Sequence, residues 1–457
     1  MTDAREGGLE RSLGLREALA IGVGTMVGAG IFVFPGLAAG RAGPAAMASF
    51  ALGAVVALLV ALPAAELATA MPESGGGYHF VSRGLGPLAG SIVGIGQWLG
   101  LVFASAFYLV GFGLYLADAL AETGLGAGLP APLVGFVTAV ALTAVSITGT
   151  RRSGSLQNGV VTALVVILAV FLLYGGLDAV GLLGRERVPE AFAPYGAMPV
   201  FTTAALVFTS YLGFAQIATV AGEIREPARN LPRALVGSVL VAGVLYMGTI
   251  FVATSALGSA RLAELGETAV VEVAREFLGR PAAVALLAAG VLATLSSANA
   301  SILSSSRTVY ALSRDRLLPG DLDRISERYR TPHLALLAAG APIAALVLTG
   351  RVEVLAEVAS LLHLVMYGLI CFALIRLRRR SPPAYRPDFR CPGFPAVPLA
   401  GGVASFGLIL FMQPLSLLIG GALIAAGAGW YLAYGAGIET GIAGPGPNTP
   451  TDEETSR

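Results

Sequence analysis

The sequence has no lysine, and only 12% of its residues are charged. Hydrophobic residues make up 55% of the chain, and the mean hydropathy is +0.77. Soluble domains are about 25% charged, so this composition lies far outside their range. The shortage of charge excludes an ordinary soluble fold and predicts an integral membrane protein.

Cysteine is also scarce, and the sequence motifs of catalysis are missing. Two cysteines, Cys371 and Cys391, are too few for a disulfide framework or a metal site, so we expect them to be packing residues. The sequence lacks a phosphate-binding P-loop, a metal-ligand cluster and a nucleophile elbow. We therefore expect neither an enzyme nor an ATP-driven pump, and no cofactor other than a coupling ion.

Apolar runs recur along nearly the whole chain. Each is about 20 residues long, which is the length that a hydrocarbon core of about 30 Å demands of a helix. We count twelve runs, so the predicted fold is an all-α integral membrane protein with twelve transmembrane helices. The predicted spans are 16–39, 45–70, 88–118, 132–150, 158–183, 200–222, 233–257, 281–313, 333–349, 353–377, 394–412 and 414–434.

The positions of the arginines predict the orientation, because basic residues concentrate in short cytoplasmic loops. With the N-terminus inside, 22 of the 29 arginines fall in inner segments, including Arg378-Arg379-Arg380. We therefore expect a plasma-membrane protein with a cytoplasmic N-terminus at 1–15 and a disordered cytoplasmic tail at 435–457. An arginine cluster beside a span is a topology anchor rather than a nucleic-acid patch, so the bilayer is an expected partner and nucleic acid is not. The oligomeric state stays open.

Two of the apolar runs are interrupted. The first contains Gly28-Ala29-Gly30, and the sixth contains polar and glycine residues between Phe208 and Phe214. Unwound backbone at membrane depth is tolerated only where it faces protein or a water-filled cavity, because unpaired N–H and C=O groups in lipid cost several kcal/mol. A pair of discontinuous helices, one and six, predicts a binding site near the midplane.

The runs also suggest an internal repeat. Residues 16–183 and 200–377 each hold five spans, each half opens with an interrupted span, and each has a long third member. Because five is odd, the second half enters the membrane from the opposite side, which predicts an inverted repeat. Residues 394–434 would add two C-terminal helices.

Several blocks of sequence carry a family resemblance. They are Gly28-Ala29-Gly30-Ile31-Phe32, Glu66-Leu67-Ala68, Pro72-Glu73-Ser74-Gly75-Gly76-Gly77-Tyr78, Tyr211-Leu212-Gly213-Phe214, Glu223-Ile224-Arg225-Glu226-Pro227, Arg229-Asn230-Leu231-Pro232-Arg233-Ala234 and Arg314-Asp315-Arg316-Leu317-Leu318-Pro319. In this order, over residues 12 to about 435, they resemble the amino acid-polyamine-organocation transporter superfamily. The resemblance implies the five-plus-five inverted repeat of the sodium-coupled leucine transporters.

The two interruptions supply the predicted substrate site. N–H groups at the start of the second half-helix suit a carboxylate, glycines allow its close approach, and carbonyls at the end of the first half-helix suit an ammonium group. The predicted substrate-binding residues are Met26, Val27, Gly28, Ala29, Gly30, Ile31, Phe208, Thr209, Tyr211, Leu212 and Gly213. The alternative for the first interruption is a helix-packing surface of small residues.

The resemblance adds detail to this site. Phe208 matches the family's aromatic gate, and Thr209 departs from members that carry a second aromatic residue there. One of Phe103, Phe107 and Tyr108 is expected to line the side-chain pocket, and the periodicity does not decide which.

The coupling ion is predicted from the same resemblance. Proton-coupled relatives often carry a lysine in the fifth span, and the matching position here is Val165. Sodium-coupled members place hydroxyl and carbonyl oxygens at positions that match Gly24, Val27, Ala293, Ser296 and Ser297. Five neutral oxygens suit a hard cation, so we predict a sodium site. The alternative is that these serines bond their own helix backbone.

Two of the ionisable residues within the predicted spans are candidates for a functional role. His363 is a possible proton relay or a neutral, hydrogen-bonded histidine, and Glu66 is expected to be an inner-gate or interfacial residue. The central thirds of spans one, three, six and eight carry no carboxylate, which favours a neutral cargo.

The predicted function is therefore secondary active transport of L-amino acids by alternating access, as sodium symport. Proton-coupled symport or exchange of amino acids or amines is the alternative within transport. A membrane amino-acid sensor is the alternative outside it.

Overall fold

A computed structural model describes residues 13–71, 76–124, 128–148, 154–183, 191–219, 221–383 and 385–435. The first twelve residues of the predicted N-terminal segment, and 436–457 of the predicted tail, lie outside the described residues.

Across these ranges the chain forms sixteen α-helices. They are α1 (Leu15–Met26), α2 (Ala29–Ala42), α3 (Ala46–Ala70), α4 (Gly76–Leu85), α5 (Pro87–Glu122), α6 (Ala131–Ile147), α7 (Gly154–Ala179), α8 (Met198–Val207), α9 (Phe214–Thr219), α10 (Pro227–Leu265), α11 (Ala269–Leu278), α12 (Arg280–Arg314), α13 (His333–Val347), α14 (Val352–Arg380), α15 (Ala396–Ile409) and α16 (Pro414–Trp430). The predicted all-α membrane architecture agrees with this helix content.

Eight helical stretches among the described residues are long and apolar enough to cross a membrane. Three more apolar helices, α6, α13 and α15, have 14 to 17 residues. One of the eight stretches, Ala29–Ala70, runs through parts of the first two predicted spans. The count of twelve spans and the inverted repeat therefore remain predictions.

The helices associate in two groups. In the first, α10 packs against α1, α2 and α3, and α8 packs against α3. In the second, α5 packs along α12 and α14, with α4, α6 and α13 around them. The site described below lies where the two groups meet.

The long helices begin and end at residues that suit those positions. Gly86 has a φ of 104°, which favours glycine, and Pro87 occupies the first turn of α5, where a missing N–H costs nothing. Within α10, Gly258 has a φ of 73° and interrupts the helical backbone. The predicted seventh span, which ends at residue 257, stops at this bend.

Glu66 lies near the C-terminal end of α3 and is fully buried. Its carboxylate accepts hydrogen bonds from both Nε (2.6 Å) and Nη2 of Arg378, from the hydroxyl of Tyr385 (2.7 Å) and from the backbone N–H of Cys391 (2.7 Å). A buried carboxylate is tolerated when its oxygens are satisfied in this way. Glu66 therefore fastens the loop between α14 and α15 to the end of α3.

Burial in this cluster changes the acidity of two side chains of the loop. It raises the pKa of the Cys391 thiol to about 11, and the nearby Glu66 carboxylate adds to the shift. Burial, together with the hydrogen bond to Glu66, raises the pKa of Tyr385. Both groups are therefore neutral near pH 7, and the Cys391 thiol is a poor nucleophile.

Replacing Glu66 with alanine should release this loop. Arg378 would keep a largely buried charge without its partner, a change that typically costs about 3–5 kcal/mol. Cys391 should then become exposed and react faster with a maleimide at pH 7.5, as measured by peptide-resolved mass spectrometry with buried Cys371 as the internal reference. Glu264→Gln, which removes the exposed pair with Arg261, is the control and should leave the labelling rate unchanged. Unaltered Cys391 labelling in Glu66→Ala would contradict the fastening role.

Candidate functional site

The first interruption of a helix lies between α1 and α2, and we call it the first break (Val27 and Gly28). Val27 has φ and ψ of −72° and 57°, and Gly28 has −108° and −137°, so neither is helical. The sequence places the interruption at residues 28–30, but Ala29 and Gly30 are the first residues of α2. Their N–H groups nevertheless belong to the first turn of a helix, where donors lack intrahelical acceptors and the dipole is positive.

The second break (residues 208–213) separates α8 from α9. It consists of a 3₁₀ turn, Phe208–Tyr211, followed by two residues that belong to neither helix. Its side chains are engaged with neighbouring helices. The Thr209 hydroxyl lies 2.5 Å from both the Ala356 carbonyl oxygen and the Ser360 hydroxyl, and Phe208 is fully buried.

Tyr246 of α10 joins the two breaks. Its hydroxyl oxygen lies 2.5 Å from the carbonyl oxygen of Met26, at the end of α1, and 3.1 Å from that of Ser210, in the second break. The Met26 carbonyl also accepts a hydrogen bond from the Gly28 N–H at 2.7 Å. A phenol carries one proton, so Tyr246 can donate to one of the two carbonyls at a time. The Met26 carbonyl, which we predicted to be free for a substrate amine, is therefore occupied in this conformation.

Thr25 makes a second connection between the breaks. Its hydroxyl lies 3.1 Å from the carbonyl oxygen of Gly213 and also close to carbonyl oxygens of its own helix. The backbones approach so closely that a Cβ on Gly213 would lie 2.5 Å from Thr25 Oγ1. The last turn of α1 and the end of the second break are thus held together by side-chain and backbone contacts.

Gly28 of the first break and Gly30 in the first turn of α2 are packed against serines. A Cβ on Gly28 would lie 2.1 Å from Ser297 Oγ, and a Cβ on Gly30 would lie 2.3 Å from Ser210 Oγ. Both serine hydroxyls are buried and have no hydrogen-bond partner among the described residues. Small residues therefore pack closely here, as expected for a helix-packing surface. Two serine hydroxyls beside the break are nevertheless left without a hydrogen bond.

A pocket opens beside the two breaks, on the side of the protein where α1 begins. Leu212 and Gly213 line it from the second break, and α5, α12 and α14 line it from the other helix group. Among its polar lining residues none is an Asp, Glu or Arg. These polar residues are Thr25, Gln97, Tyr108, Gln216, Ser297, Ser301, Ser304 and His363.

Few of the predicted substrate residues reach this pocket. Leu212 and Gly213 line it, whereas the main predicted set at the first break is buried behind it. That buried set is Met26, Val27, Gly28, Ala29, Gly30 and Ile31. Of the three aromatic candidates on α5, the pocket is lined by Tyr108.

The predicted ion site is only partly assembled around the pocket. Ser297 lines it next to Gly28, and Ala293 is buried one turn earlier on α12. Gly24 is half-buried in the last turn of α1, and Ser296 is half-buried beside Ser297. His363 also lines the pocket.

We did not single out Tyr246, Thr25 or the two pocket-lining glutamines, Gln97 and Gln216, from the sequence. A mid-span tyrosine normally needs a partner for its hydroxyl, which is a signal that could have singled out Tyr246. One partner of its hydroxyl, the carbonyl of Met26, lies 220 residues away in the sequence, so no local pattern could have identified it.

The opposite side of the breaks, where α2 ends, is closed. Arg41 forms an ion pair with Glu353 at 2.6 Å, which connects the end of α2 to the start of α14. Deeper in, the rings of Phe34 and Phe107 stack with centroids 5.0 Å apart, and Tyr115 donates a hydrogen bond to the Phe32 carbonyl at 2.8 Å. The site is therefore accessible from the α1 side in this structure.

Comparisons with known proteins identify relatives over nearly the whole chain. A family model described as "Amino acid permease" matches residues 13–437. The branched-chain amino acid permease BcaP of Bacillus subtilis is 30% identical over 444 residues, covering 93% of this chain and 92% of the relative. The serine/threonine exchanger SteT of the same organism is 26% identical, covering 88% and 91%. Its methylthioribose transporter is 27% identical, covering 86% of each chain.

Gly28→Ala should abolish ligand binding while the protein still inserts into the membrane. The added Cβ would meet Ser297 Oγ at 2.1 Å, so the contact between the first break and α12 must open. Binding is measured on purified protein by the thermal shift that an amino-acid mixture produces. Gly96→Ala is the matched control, because a Cβ there meets nothing within 4 Å. Normal binding by Gly28→Ala would remove this glycine from the site.

Tyr246→Phe should destabilise the protein by about 1–3 kcal/mol, because the buried hydrogen bond of the phenol to the Met26 and Ser210 carbonyls would be lost. The measurement is the midpoint of thermal unfolding in detergent. Tyr174→Phe, which keeps the ring contact with Phe277, is the control. Equal midpoints for the two variants would show that the Tyr246 hydroxyl does not stabilise the breaks.

Proposed function

Because the chain belongs to the amino acid permease family, we propose that it is a secondary active transporter of neutral L-amino acids that works by alternating access. Family membership confirms the resemblance seen in the sequence, and permeases are not enzymes. The observation that carries the proposal is the meeting of two helix breaks beside a pocket that is accessible from one side. Such an arrangement holds a small zwitterion between free helix ends and lets one helix group move against the other.

Neutral cargo is supported by the pocket and by the names of two of the relatives. The described lining residues include neither a carboxylate nor an arginine to balance a charged side chain. Two of the relatives are named for branched-chain amino acids and for serine and threonine, and both are sets of neutral amino acids. A buried unpaired charge would be costly in this pocket, so a cationic or anionic cargo is disfavoured.

Sodium is the proposed coupling ion. The Ser297 hydroxyl lies beside the first break, is 5% exposed, and has no partner among the described residues. An unsatisfied hydroxyl next to non-helical backbone supports an oxygen-lined cation site formed with Gly24, Val27, Ala293 and Ser296. One alternative is proton coupling through His363, which lines the pocket. The other is amino acid exchange, which the similarity to a serine/threonine exchanger supports.

The family and the apolar helices make this a multi-pass membrane protein. We further propose that it lies in the plasma membrane with both termini in the cytoplasm, because that orientation puts most arginines inside. In that orientation the pocket of this structure opens toward the cytoplasm, and the Arg41–Glu353 pair lies on the outer side.

The test is uptake of radiolabelled amino acids into proteoliposomes under a sodium gradient, a proton gradient or neither, with and without internal amino acid. Sodium-driven accumulation is the expected result. Accumulation driven by the proton gradient would mean that the coupling ion is a proton and not sodium. Flux only against internal amino acid would mean that the protein is an exchanger. Binding without flux would mean that it is a sensor.

Replacing both Ser296 and Ser297 with alanine should remove the stimulation by sodium and leave membrane insertion intact. The reason is the loss of two of the five proposed oxygen ligands. Ser405→Ala is the control, because that hydroxyl bonds the carbonyl of Gly401 within α15, away from the site. If the double variant keeps the full sodium response, the proposed ion site is wrong.

A further inference from the structure

His363 presents a defined acceptor to the pocket. Its Nδ1 lies 2.8 Å from the carbonyl oxygen of Ala359, one turn earlier in α14. A carbonyl can only accept, so in the neutral ring Nδ1 carries the proton and Nε2 keeps its lone pair. The side chain is 3% exposed and lines the pocket.

The position of the imidazole ring is fixed by its neighbours. A Cβ on Gly100 of α5 would lie 2.7 Å from both Nδ1 and Cε1 of His363, so the ring rests directly against that helix. The ring of Tyr367 lies on another side, with centroids 6.1 Å apart. Together with the hydrogen bond to Ala359, these contacts leave the imidazole little rotational freedom.

Two other buried polar atoms belong to the same pocket. Gln97 Oε1, on α5, and Ser297 Oγ, on α12, have no hydrogen-bond partner among the described residues. Gln97 on α5 and His363 on α14 thus supply acceptors that the proposed sodium site does not use, whereas the Ser297 hydroxyl can donate as well as accept. A buried acceptor that stays unpaired is unfavourable, so a ligand that donates hydrogen bonds fits this pocket better than an apolar one of equal shape.

His363 also lies close to the breaks. Ser360, three residues earlier in α14, contacts Thr209 of the second break at 2.5 Å. Three residues of helix advance by about 4.5 Å. His363 therefore lies within about one helical turn of the residue of α14 that contacts the second break.

Resting on the function proposed above, we propose that this pocket selects amino acids whose side chain donates a hydrogen bond, a hydroxyl or a carboxamide, and that His363 is a specificity-determining residue. Branched aliphatic amino acids of the same shape are disfavoured because they leave the acceptors of the pocket unpaired. Sites that hydrogen-bond a substrate group discriminate strongly against analogues that lack it.

Threonine and valine are the sharpest pair for a test, because they differ by a hydroxyl in place of a methyl group. The measurement is the dissociation constant of each for the purified full-length protein, by competition against a bound radiolabelled amino acid. Wild-type protein should prefer threonine by at least about tenfold, which corresponds to 1.4 kcal/mol.

Two variants test the role of the imidazole. His363→Leu removes the acceptor and should bring the threonine-to-valine ratio close to one. His363→Gln keeps an acceptor and should retain most of the preference. Ser405→Ala should not change the ratio.

The outcomes separate this inference from the proposed function. Equal or tighter binding of valine by the wild-type protein would overturn the inference and leave a transporter of neutral amino acids. Failure to bind or transport any neutral amino acid would overturn the proposed function itself. If His363→Gln loses the preference as fully as His363→Leu, an acceptor at this position is not what selects the cargo. If His363→Leu does not insert into the membrane, the threonine-to-valine ratio of the wild-type protein alone decides whether the inference holds.

Discussion

The structure depends on pairing backbone groups where helices are interrupted inside the membrane. Each break frees N–H and C=O groups that lipid cannot satisfy, and each unpaired group costs several kcal/mol. The hydroxyl of Tyr246 lies within hydrogen-bond distance of the Met26 and Ser210 carbonyls, and that of Thr25 lies 3.1 Å from the Gly213 carbonyl. The N–H groups of Gly28 and Gln216 also donate to Met26 and Gly213. The two breaks are therefore held as one site by hydroxyls from neighbouring helices.

The two sides of the site are bordered by different contacts. On the α2 side, stacked aromatic rings and the Arg41–Glu353 pair close the space between the helix groups. On the α1 side, Ser297 and His363 border an open pocket. Half-exposed ion pairs are worth little individually, so the Arg41–Glu353 pair adds little to the stability of the closed side. The Glu66 cluster has the opposite character, because its carboxylate is fully buried and fully paired. It suits a fixed connection between α3 and the loop after α14.

Local sequence predicted the elements of the fold better than their partners. The long apolar runs at 88–118 and 281–313 correspond to α5 (Pro87–Glu122) and α12 (Arg280–Arg314), since a continuous apolar pattern is a local property. Glycine and polar residues inside apolar runs likewise marked both breaks. The helical state of Ala29 and Gly30 was missed, because small residues permit both helix and loop and tertiary contacts decide between them. The lining residues Gln97 and Gln216 were missed for a related reason: each stands alone in its helix, and their proximity exists only in the folded chain.

Overall sequence similarity and the chemistry of the pocket answer different questions. A relative at 30% identity over 93% of this chain is named for branched-chain amino acids, and another at 26% is named for serine and threonine. Substrate choice between such cargoes depends on a few side chains, because one methyl group in place of a hydroxyl changes which buried atoms remain unpaired. Overall sequence identity averages over hundreds of positions and therefore says little about which cargo is carried. Acceptors on α5 and α14, with no charge among the pocket-lining residues described, argue for a polar neutral cargo more directly than the identities of the relatives do.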